Sequence, residues 1–176
     1  MHLSDAIARV EAECGDPRSG IPEEVFLLLT RLTPMVNVDL LIRDDRERTL
    51  LTWREDIYHG SGWHIPGGVI RYKETAADRI RAVGRLELGC EVVAEDRPMA
   101  LHECIAESQR NRAHCISFLY RCRLASVPTE ALRYPGGRPR PGMFHFFARA
   151  PENLLQVHHF YKKYIDPQAG SSYDTI

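Results

Sequence analysis

The segment over residues 62–90 constrains the fold most, because it joins a double-glycine bend to an amphipathic helix. The sequence GWHIPGG predicts a short apolar segment that ends in a tight turn at Gly67 and Gly68. A helix is predicted over residues 74–88, and Gly89 suits its C-terminal cap. The apolar side chains of this helix recur at helical spacing: Ala76, Ala77, Ile80, Val83 and Leu88.

Glu87 is the unexpected residue of this helix. It follows Val83 by four residues, so it shares the apolar face. A carboxylate there needs a compensating positive charge, and the helix dipole disfavours a negative charge in the last turn by about 0.3–1 kcal/mol. An arginine or a metal ion would meet this need. Spacing alone also allows Glu87 to turn to solvent or to pair with a nearby arginine.

The glycine pair before the helix would let the backbone approach a ligand closely. A backbone carbonyl at this bend and the Glu87 carboxylate are hard oxygen ligands of the kind that Mg²⁺ binds together with water and phosphate oxygens. The alternative is that Gly67 and Gly68 only form a turn.

Strand patterns dominate the rest of the chain, which predicts an α+β fold. Residues 33–45 alternate between two faces, and residues 46–56 are expected to form the hairpin partner of that strand. Two longer strands are predicted over 91–108 and 114–125, a short strand over 143–150, and a final helix over 151–165.

Composition excludes several classes of function. The 176-residue chain has a formal net charge of −1 with interspersed acids and bases, so charge offers no case for nucleic acid or an acidic membrane as partner. Its five cysteines form no C-x-x-C pair. We therefore expect reduced thiols in a cytoplasmic protein, with no signal peptide and no membrane span.

The 68–90 segment resembles the Nudix box, G-x5-E-x7-R-E-U-x-E-E-x-G-U with U aliphatic. The residues at pattern positions are Gly68, Glu74, Glu87 and Gly89. The residues that depart from the pattern are Ala82, Val83, Gly84, Leu86 and Cys90. The chain thus keeps one of the main metal-binding acids of the box. Without the box arginine, Glu74 is expected to pair with Arg81 or Arg71, or to stay solvated.

One branch of the superfamily, the GDP-mannose mannosyl hydrolases, lacks the same acids. The sequences TPMVNVDLLI and GWHIPGG-x5-ET are similar to that branch, and the resemblance covers approximately residues 22–150. It implies a Nudix fold with a mixed β-sheet between helices, here as a domain over 34–176 after a helical arm over 1–33. It also implies one Mg²⁺ or Mn²⁺ ion and a homodimer. The implied reaction hydrolyses a nucleotide sugar to sugar and nucleoside diphosphate.

The resemblance also implies roles for individual residues. Gly67 and Glu87 would bind the metal through a carbonyl and a carboxylate. The implied catalytic residues are Asp39 and His145, and the implied substrate-binding residues are Arg54, Arg71 and His114. Phe144 stands where the branch has a metal-binding glutamine, and Val69 where it has a diphosphate-binding arginine. Asp39 could instead make a structural hydrogen bond, and Arg54 could be a surface arginine. His114 could be structural, and His145 could be packed between aromatic side chains.

Two other functions stay open from the sequence. The chain could cleave the P–O bond of a nucleoside diphosphate compound, although that route usually needs more metal charge than one acid holds. It could also bind a nucleotide or a protein without turnover, since fold does not guarantee chemistry.

Overall fold

The computed structural model describes residues 2–166. The α-helices are α1 (Leu3–Cys14), α2 (Glu23–Leu29), α3 (Ala76–Val83) and α4 (Lys162–Ile165). The strands are β1 (Met35–Ile42), β2 (Thr49–Asp56), β3 (Gly60–His64), β4 (Gly67–Val69), β5 (Val92–Ala94), β6 (Ala100–Ile105), β7 (His114–Leu124) and β8 (Phe144–Phe147). A π-helical turn (Gly84–Leu88) and two 3-10 segments (Glu130–Leu132 and Gln156–Tyr161) complete the description.

The strands form two sheets. The larger, five-stranded sheet has the order β4-β1-β7-β5, with β6 also paired to β7. Strands β1 and β7 run parallel, and the other pairs of this sheet are antiparallel. The smaller, antiparallel sheet has the order β3-β2-β8. This mixed architecture confirms the predicted α+β class, while the domain boundary at residues 33/34 stays a prediction.

Strand β1 separates two hydrophobic cores because both of its faces are apolar. One face buries Val38 and Leu40 against Ile80 and Val83 of α3. The other face buries Leu41 in a second cluster, whose remaining fully buried members are Leu51, Trp63, Ile65, Leu119, Leu154, Tyr161 and Ile165. Burying a side chain of this size contributes about 1.5–3 kcal/mol.

The predicted hairpin between residues 33–45 and 46–56 is only partly formed. Asp44 accepts hydrogen bonds from the Arg46 and Arg48 backbone N–H groups, which closes the turn. Beyond one bridge between Arg43 and Thr49, however, the two strands diverge into different sheets. Both strands bury apolar residues on both faces, so each is flanked by other strands and covered by packing on both sides.

The predicted helix over 74–88 is regular only in its first half. Thr75 caps it by accepting the Asp78 N–H at 3.1 Å, and Gly89 ends it in the left-handed conformation at φ 62°. Between them, the Gly84–Leu88 segment is a π-helix, a wider turn that changes the direction of the following side chains. A Cβ at Gly84 would lie 2.7 Å from Val92 Cγ2, so glycine allows this turn to pack on β5.

The predicted final helix is also divided. Residues 156–161 form a 3-10 segment, and only Lys162–Ile165 is α-helical. Tyr161 and Ile165 are fully buried in the second core, so tertiary packing fixes this segment.

The two N-terminal helices, α1 and α2, bury no residue completely. Their exposed large apolar side chains are Leu3, Ile7, Val10, Leu28 and Leu29. With one edge of the larger sheet the helices border a mainly apolar groove of about 1060 Å³. Across residues 2–166, no helix has the length and apolar character needed to cross a membrane.

Candidate active site

Glu87 extends from the π-helical turn to the smaller sheet and the glycine bend. Thr52 Oγ1 lies 3.2 Å from Glu87 Oε2. Burial raises the pKa of the Glu87 carboxyl to about 7, against the lowering effect of hydrogen bonds from Thr52 and the Gly67 backbone N–H. None of the ion pairs formed within residues 2–166 involves Glu87, so no arginine of that part of the chain neutralises it directly.

Thr52 connects Glu87 to a buried histidine. Its Oγ1 lies 3.0 Å from His64 Nε2, and His64 Nδ1 lies 2.8 Å from the Ile65 carbonyl oxygen. Burial, together with the charge of Arg54, lowers the pKa of His64 to about 4. A neutral His64 therefore donates from Nδ1 to the carbonyl, and its Nε2 competes with Glu87 Oε2 for the single proton of the Thr52 hydroxyl.

Asp39 is the second carboxylate of the site and is 6% exposed. Its Oδ2 accepts a hydrogen bond from the Ser117 hydroxyl and one of 2.6 Å from the Tyr161 hydroxyl. Burial raises the pKa of Asp39 to about 6, although both hydrogen bonds lower it. Gly67 faces Asp39 across the β1–β4 pair, and a Cβ there would lie 2.0 Å from Asp39 Oδ1. Glycine at this position is thus required by the close approach of the carboxylate.

Arg54 lies on the same face of β2 as Thr52, two residues further along the strand. Its guanidinium forms an ion pair with Asp56, and its charge also acts on Glu87. The structure therefore brings together four of the residues named from the sequence: Asp39, Arg54, Gly67 and Glu87.

His145 does not join this group. It pairs with Leu51 in the β2–β8 register, on the face of the smaller sheet opposite Thr52. Its ring packs among aromatic side chains, with centroid distances of 4.9 Å to Phe147 and 5.7 Å to Tyr134. The register of β8 therefore directs the imidazole away from Glu87.

His114 and Arg71 also lie apart from Glu87. His114 begins β7 on the face opposite Ser117, and its Nε2 lies 3.2 Å from Glu103 Oε1. The Arg71 guanidinium donates to the Arg18 carbonyl at 3.1 Å and so faces the N-terminal segment.

Glu74 has a partner that the sequence comparison did not name. Arg79 Nε donates to Glu74 Oε2 at 2.8 Å, and their side chains are only 7% and 16% exposed. The Arg71 backbone N–H donates to the same oxygen at 2.8 Å. Arg79 lies one helical turn before residue 82, the position of the box arginine, and forms the ion pair with Glu74 that the box arginine would form. Arg81 instead pairs with Asp78.

Sequence reasoning missed several residues of the site: Thr52, His64, Ser117, His158 and Tyr161. Thr52 could have been predicted from the sequence, since the alternation of a strand places it on the same face as Arg54. Ser117 and Tyr161 had none, because they reach Asp39 across 78 and 122 residues of sequence. His158 accepts the Ile65 N–H at Nδ1 over 3.2 Å, a contact that depends on the docking of the C-terminal segment.

The residues around Glu87 suit one Mg²⁺ ion that keeps several water ligands. They do not suit a site in which protein side chains supply every ligand. Across residues 2–166, no three His, Cys, Asp or Glu side chains form a cluster that could hold a metal. One or two carboxylates beside a backbone bend leave coordination positions for water and phosphate oxygens, which is how Mg²⁺ is commonly bound. Glu87, which forms no ion pair with any residue between 2 and 166, is the principal candidate ligand, and Gly67 supplies the adjacent backbone.

The fold matches that of solved Nudix proteins. A possible asymmetric diadenosine tetraphosphate hydrolase from Jonesia denitrificans superposes with a TM-score of 0.60 at 17% identity, over 82% of this chain and 99% of that one. A MutT Nudix hydrolase from Burkholderia pseudomallei superposes with a TM-score of 0.59 at 19% identity, over 74% of this chain and 97% of that one. A UDP-X diphosphatase superposes with a TM-score of 0.57 at 19% identity, over 95% of this chain and 78% of that one. The chain therefore has the Nudix fold.

Sequence comparison adds one relative. The low-salt glycan biosynthesis protein Agl8 of Haloferax volcanii is 35% identical over 81 residues, which are 46% of this chain. The match spans about half of that protein, 51% of its length. No family model matches the chain.

Proposed function

We propose that this chain is a Nudix-type hydrolase that uses one Mg²⁺ or Mn²⁺ ion to hydrolyse a nucleotide sugar to free sugar and nucleoside diphosphate. The observation that carries the proposal is the Glu87 carboxylate, which lies beside the Gly67 bend without an ion-pair partner among residues 2–166. A bound divalent ion would supply the positive charge that neutralises a departing diphosphate.

The residues around Glu87 have separate roles in this proposal. Glu87 and the Gly67 backbone hold the metal, and Arg54 binds the diphosphate, for which a guanidinium has the right shape. Asp39 takes the proton of the attacking water. Its pKa of about 6 suits a base at neutral pH, and Ser117 and Tyr161 fix its orientation. His145, His114 and Arg71 receive no role in the reaction because their contacts lie elsewhere.

The assignment of a sugar-containing substrate is supported by the name of the Haloferax volcanii relative, a glycan biosynthesis protein. The small number of acids supports cleavage at carbon over cleavage at phosphorus, since attack on phosphorus usually requires more metal charge. A cytoplasmic location and a partner limited to small molecules remain predictions.

The test is a screen of nucleotide sugars with Mg²⁺ in isotopically labelled water, with free sugar and nucleoside diphosphate measured separately. Heavy oxygen on the sugar is the expected result. Heavy oxygen on phosphate would favour a pyrophosphatase. If no substrate turns over, and Glu87→Gln retains nucleotide affinity, the chain is a binding module.

We also propose that the protein is a homodimer that associates through the helical arm. Exposed apolar side chains of α1 and α2 lie beside this groove, and the partner's helices would cover them.

A further inference from the structure

Two cysteines face each other across strands β6 and β7. Cys104 and Cys115 are direct partners in the antiparallel register, so both side chains lie on the same face of the sheet. Partners of this kind have Cα atoms, and also Cβ atoms, about 4.5–5.5 Å apart. A disulfide requires about 4.4–6.8 Å between Cα atoms and about 3.5–4.5 Å between Cβ atoms. The register therefore holds the two residues where a disulfide can form with a closure of about 1 Å.

The two thiols are accessible and unequal. Both are free and half-buried, so a small reagent can reach them. A hydrogen bond between the two thiols lowers the pKa of Cys104 and raises that of Cys115. Because the thiolate is the nucleophile in thiol–disulfide exchange, Cys104 is the first to attack and Cys115 the second. Cys90 and Cys122, by contrast, are buried in the hydrophobic core beside α3, and burial raises the pKa of both.

Cys115 belongs to the face of β7 that orients Asp39. Side chains two residues apart on a strand share one face, so Ser117 follows Cys115 on this face. The Ser117 hydroxyl donates to Asp39 Oδ2 and lies 2.9 Å from the Tyr161 hydroxyl. A closure at Cys115 therefore acts on the strand segment that holds Asp39.

We propose that Cys104 and Cys115 form a redox-active pair, which a low-molecular-weight disulfide such as oxidised glutathione converts to a cross-strand disulfide. The Cys104 thiolate attacks one sulfur of oxidised glutathione, whose S–S bond breaks and releases a glutathione thiolate. That thiolate takes up the proton that Cys104 lost. Cys115 then loses its proton, attacks the Cys104 sulfur of the mixed disulfide and displaces the second glutathione. The protein thus gives up two electrons and two protons, which convert the oxidant to two molecules of glutathione.

The bond acts as a reversible switch on the site. Closing the gap between the strands strains them, and strained disulfides are readily reduced. A shift of Ser117 displaces Asp39, and a misplacement of about 1 Å is enough to slow a reaction strongly. Oxidation should therefore lower turnover by about tenfold or more. This effect on turnover rests on the proposed function, whereas formation of the bond does not.

The test treats the full chain with excess oxidised glutathione near neutral pH. The reaction is stopped with acid, and the remaining thiols are labelled with N-ethylmaleimide in denaturant. The chain has five cysteines, so the internal bond should leave three thiols to be labelled. Trypsin cleaves after Arg110 and Arg112, which separates the two cysteines. Mass spectrometry should find the peptides of Cys104 and Cys115 joined, and a reductant should separate them.

Two variants sharpen this test. Cys115→Ser keeps a hydroxyl that can donate to Cys104, but it should stop at the mixed disulfide of Cys104 with glutathione. Cys14→Ser is the matched control, since Cys14 is also half-buried but lies in α1. It should form the internal bond like the wild type.

The result on the wild type decides the proposal even if a variant fails to fold. The proposal is overturned if all five thiols stay reactive, or if glutathione adducts form without an internal bond. It is also overturned if the bond joins another pair of cysteines. Each of these outcomes is read from mass and does not depend on any hydrolysis.

The effect on the site has its own measurement. In NMR spectra of the wild type, oxidation should shift the backbone amide and carboxyl resonances of Asp39, and unmoved resonances would overturn this effect. Turnover of the oxidised and reduced forms is compared next, with the double variant Cys104→Ser/Cys115→Ser as control. The oxidant should leave the turnover of that variant unchanged. Equal turnover of both wild-type forms would likewise overturn the switch.

Discussion

At the scale of single residues, Glu87 is held by neutral groups. Its carboxylate contacts the Thr52 hydroxyl and the Gly67 backbone, and no cation pairs with it among the residues described. Such surroundings favour the protonated acid in the metal-free protein and the carboxylate once a cation binds. Glu87 therefore links protonation, metal binding and stability.

The first prediction concerns pH and stability without metal. The folded pKa of Glu87, about 7, lies above its ordinary value of 4.5, so the folded protein binds more protons between these values. The contribution of Glu87 to stability is thus present at low pH and is lost as pH rises towards 7. The free energy of unfolding of the wild type minus that of Glu87→Gln should fall by about 1–3 kcal/mol from pH ~5 to pH ~8.

Chemical denaturation of both proteins in EDTA measures this difference. Asp39 and His64 titrate in the same region, but they are common to both proteins, so the subtraction removes most of their contribution. Parallel pH profiles for the two proteins would contradict the prediction.

The second prediction concerns Thr52. Thr52→Val removes the hydroxyl that contacts both Glu87 Oε2 and His64 Nε2. Affinity for Mg²⁺, measured calorimetrically, should fall about tenfold, as is typical for partners that orient a metal ligand. Stability should fall by about 1–3 kcal/mol because buried polar groups lose their partner.

The control for this prediction lies in the same strand. Thr49 is buried, and its hydroxyl is directed to the Ile165 carbonyl at 3.5 Å, away from Glu87. Thr49→Val should leave Mg²⁺ affinity unchanged, and Thr52→Ser should retain most of it. Equal metal affinity in Thr52→Val and Thr49→Val would refute the proposed role of Thr52.

At the scale of elements, α3 combines one buried ion pair with one exposed pair. The Arg79–Glu74 pair fastens the loop after β4 to the helix, and both side chains are largely removed from solvent. The Arg81–Asp78 pair lies on the outer face, with side chains 48% and 49% exposed. The helix therefore permits a direct comparison of the two kinds of pair.

The third prediction follows from this comparison. Arg79→Met leaves the Glu74 carboxylate without its buried partner and should lower the free energy of unfolding by about 3–5 kcal/mol. Arg81→Met should lower it by less than about 1 kcal/mol, because solvent screens the exposed pair. Equilibrium denaturation in urea measures both losses, and losses of similar size would show that the Glu74 pair does not brace the loop.

At the scale of the whole molecule, the N-terminal helices form the surface through which we expect two copies to associate. Helix α2 places the ring centroid of Phe26 5.4 Å from Arg112 Cζ, while α1 and α2 leave apolar side chains facing solvent. A second copy that covers these side chains would also stabilise the position of α2.

The fourth prediction tests the proposed homodimer. At micromolar concentration the wild type should elute with the mass of a dimer in size-exclusion chromatography with light scattering. Ile7→Glu and Leu29→Glu place a charge on the apolar surface of the arm and should give monomers. Val127→Glu, at a residue that is 80% exposed and outside the arm, should stay dimeric. A monomeric wild type would refute the homodimer.

The sequence predicted those features that depend on neighbouring residues. Alternation predicted β1, strand-forming residues predicted β7, and Gly89 marked the C-terminal end of the helix. Glu87 stood out through its position on an apolar face. The sequence could not predict that residues 46–56 pair in the smaller sheet and not with β1, because strand pairing depends on contacts between residues distant in sequence. Nor could it predict the π-helical turn, which forms where Gly84 packs closely on Val92.

By itself, then, the sequence determined the α+β class, the glycine bend and the solitary acid, since each is encoded within a few residues. The tertiary structure alone decided which side chains share a site. Register turned His145 away from Glu87. Ser117 and Tyr161 reached Asp39 from distant segments, and the rings of Phe26 and Tyr58 each came within 5.4 Å of Arg112 Cζ. The physical reason is that hydrogen bonds and stacking act over a few ångströms in space, whatever the distance along the chain.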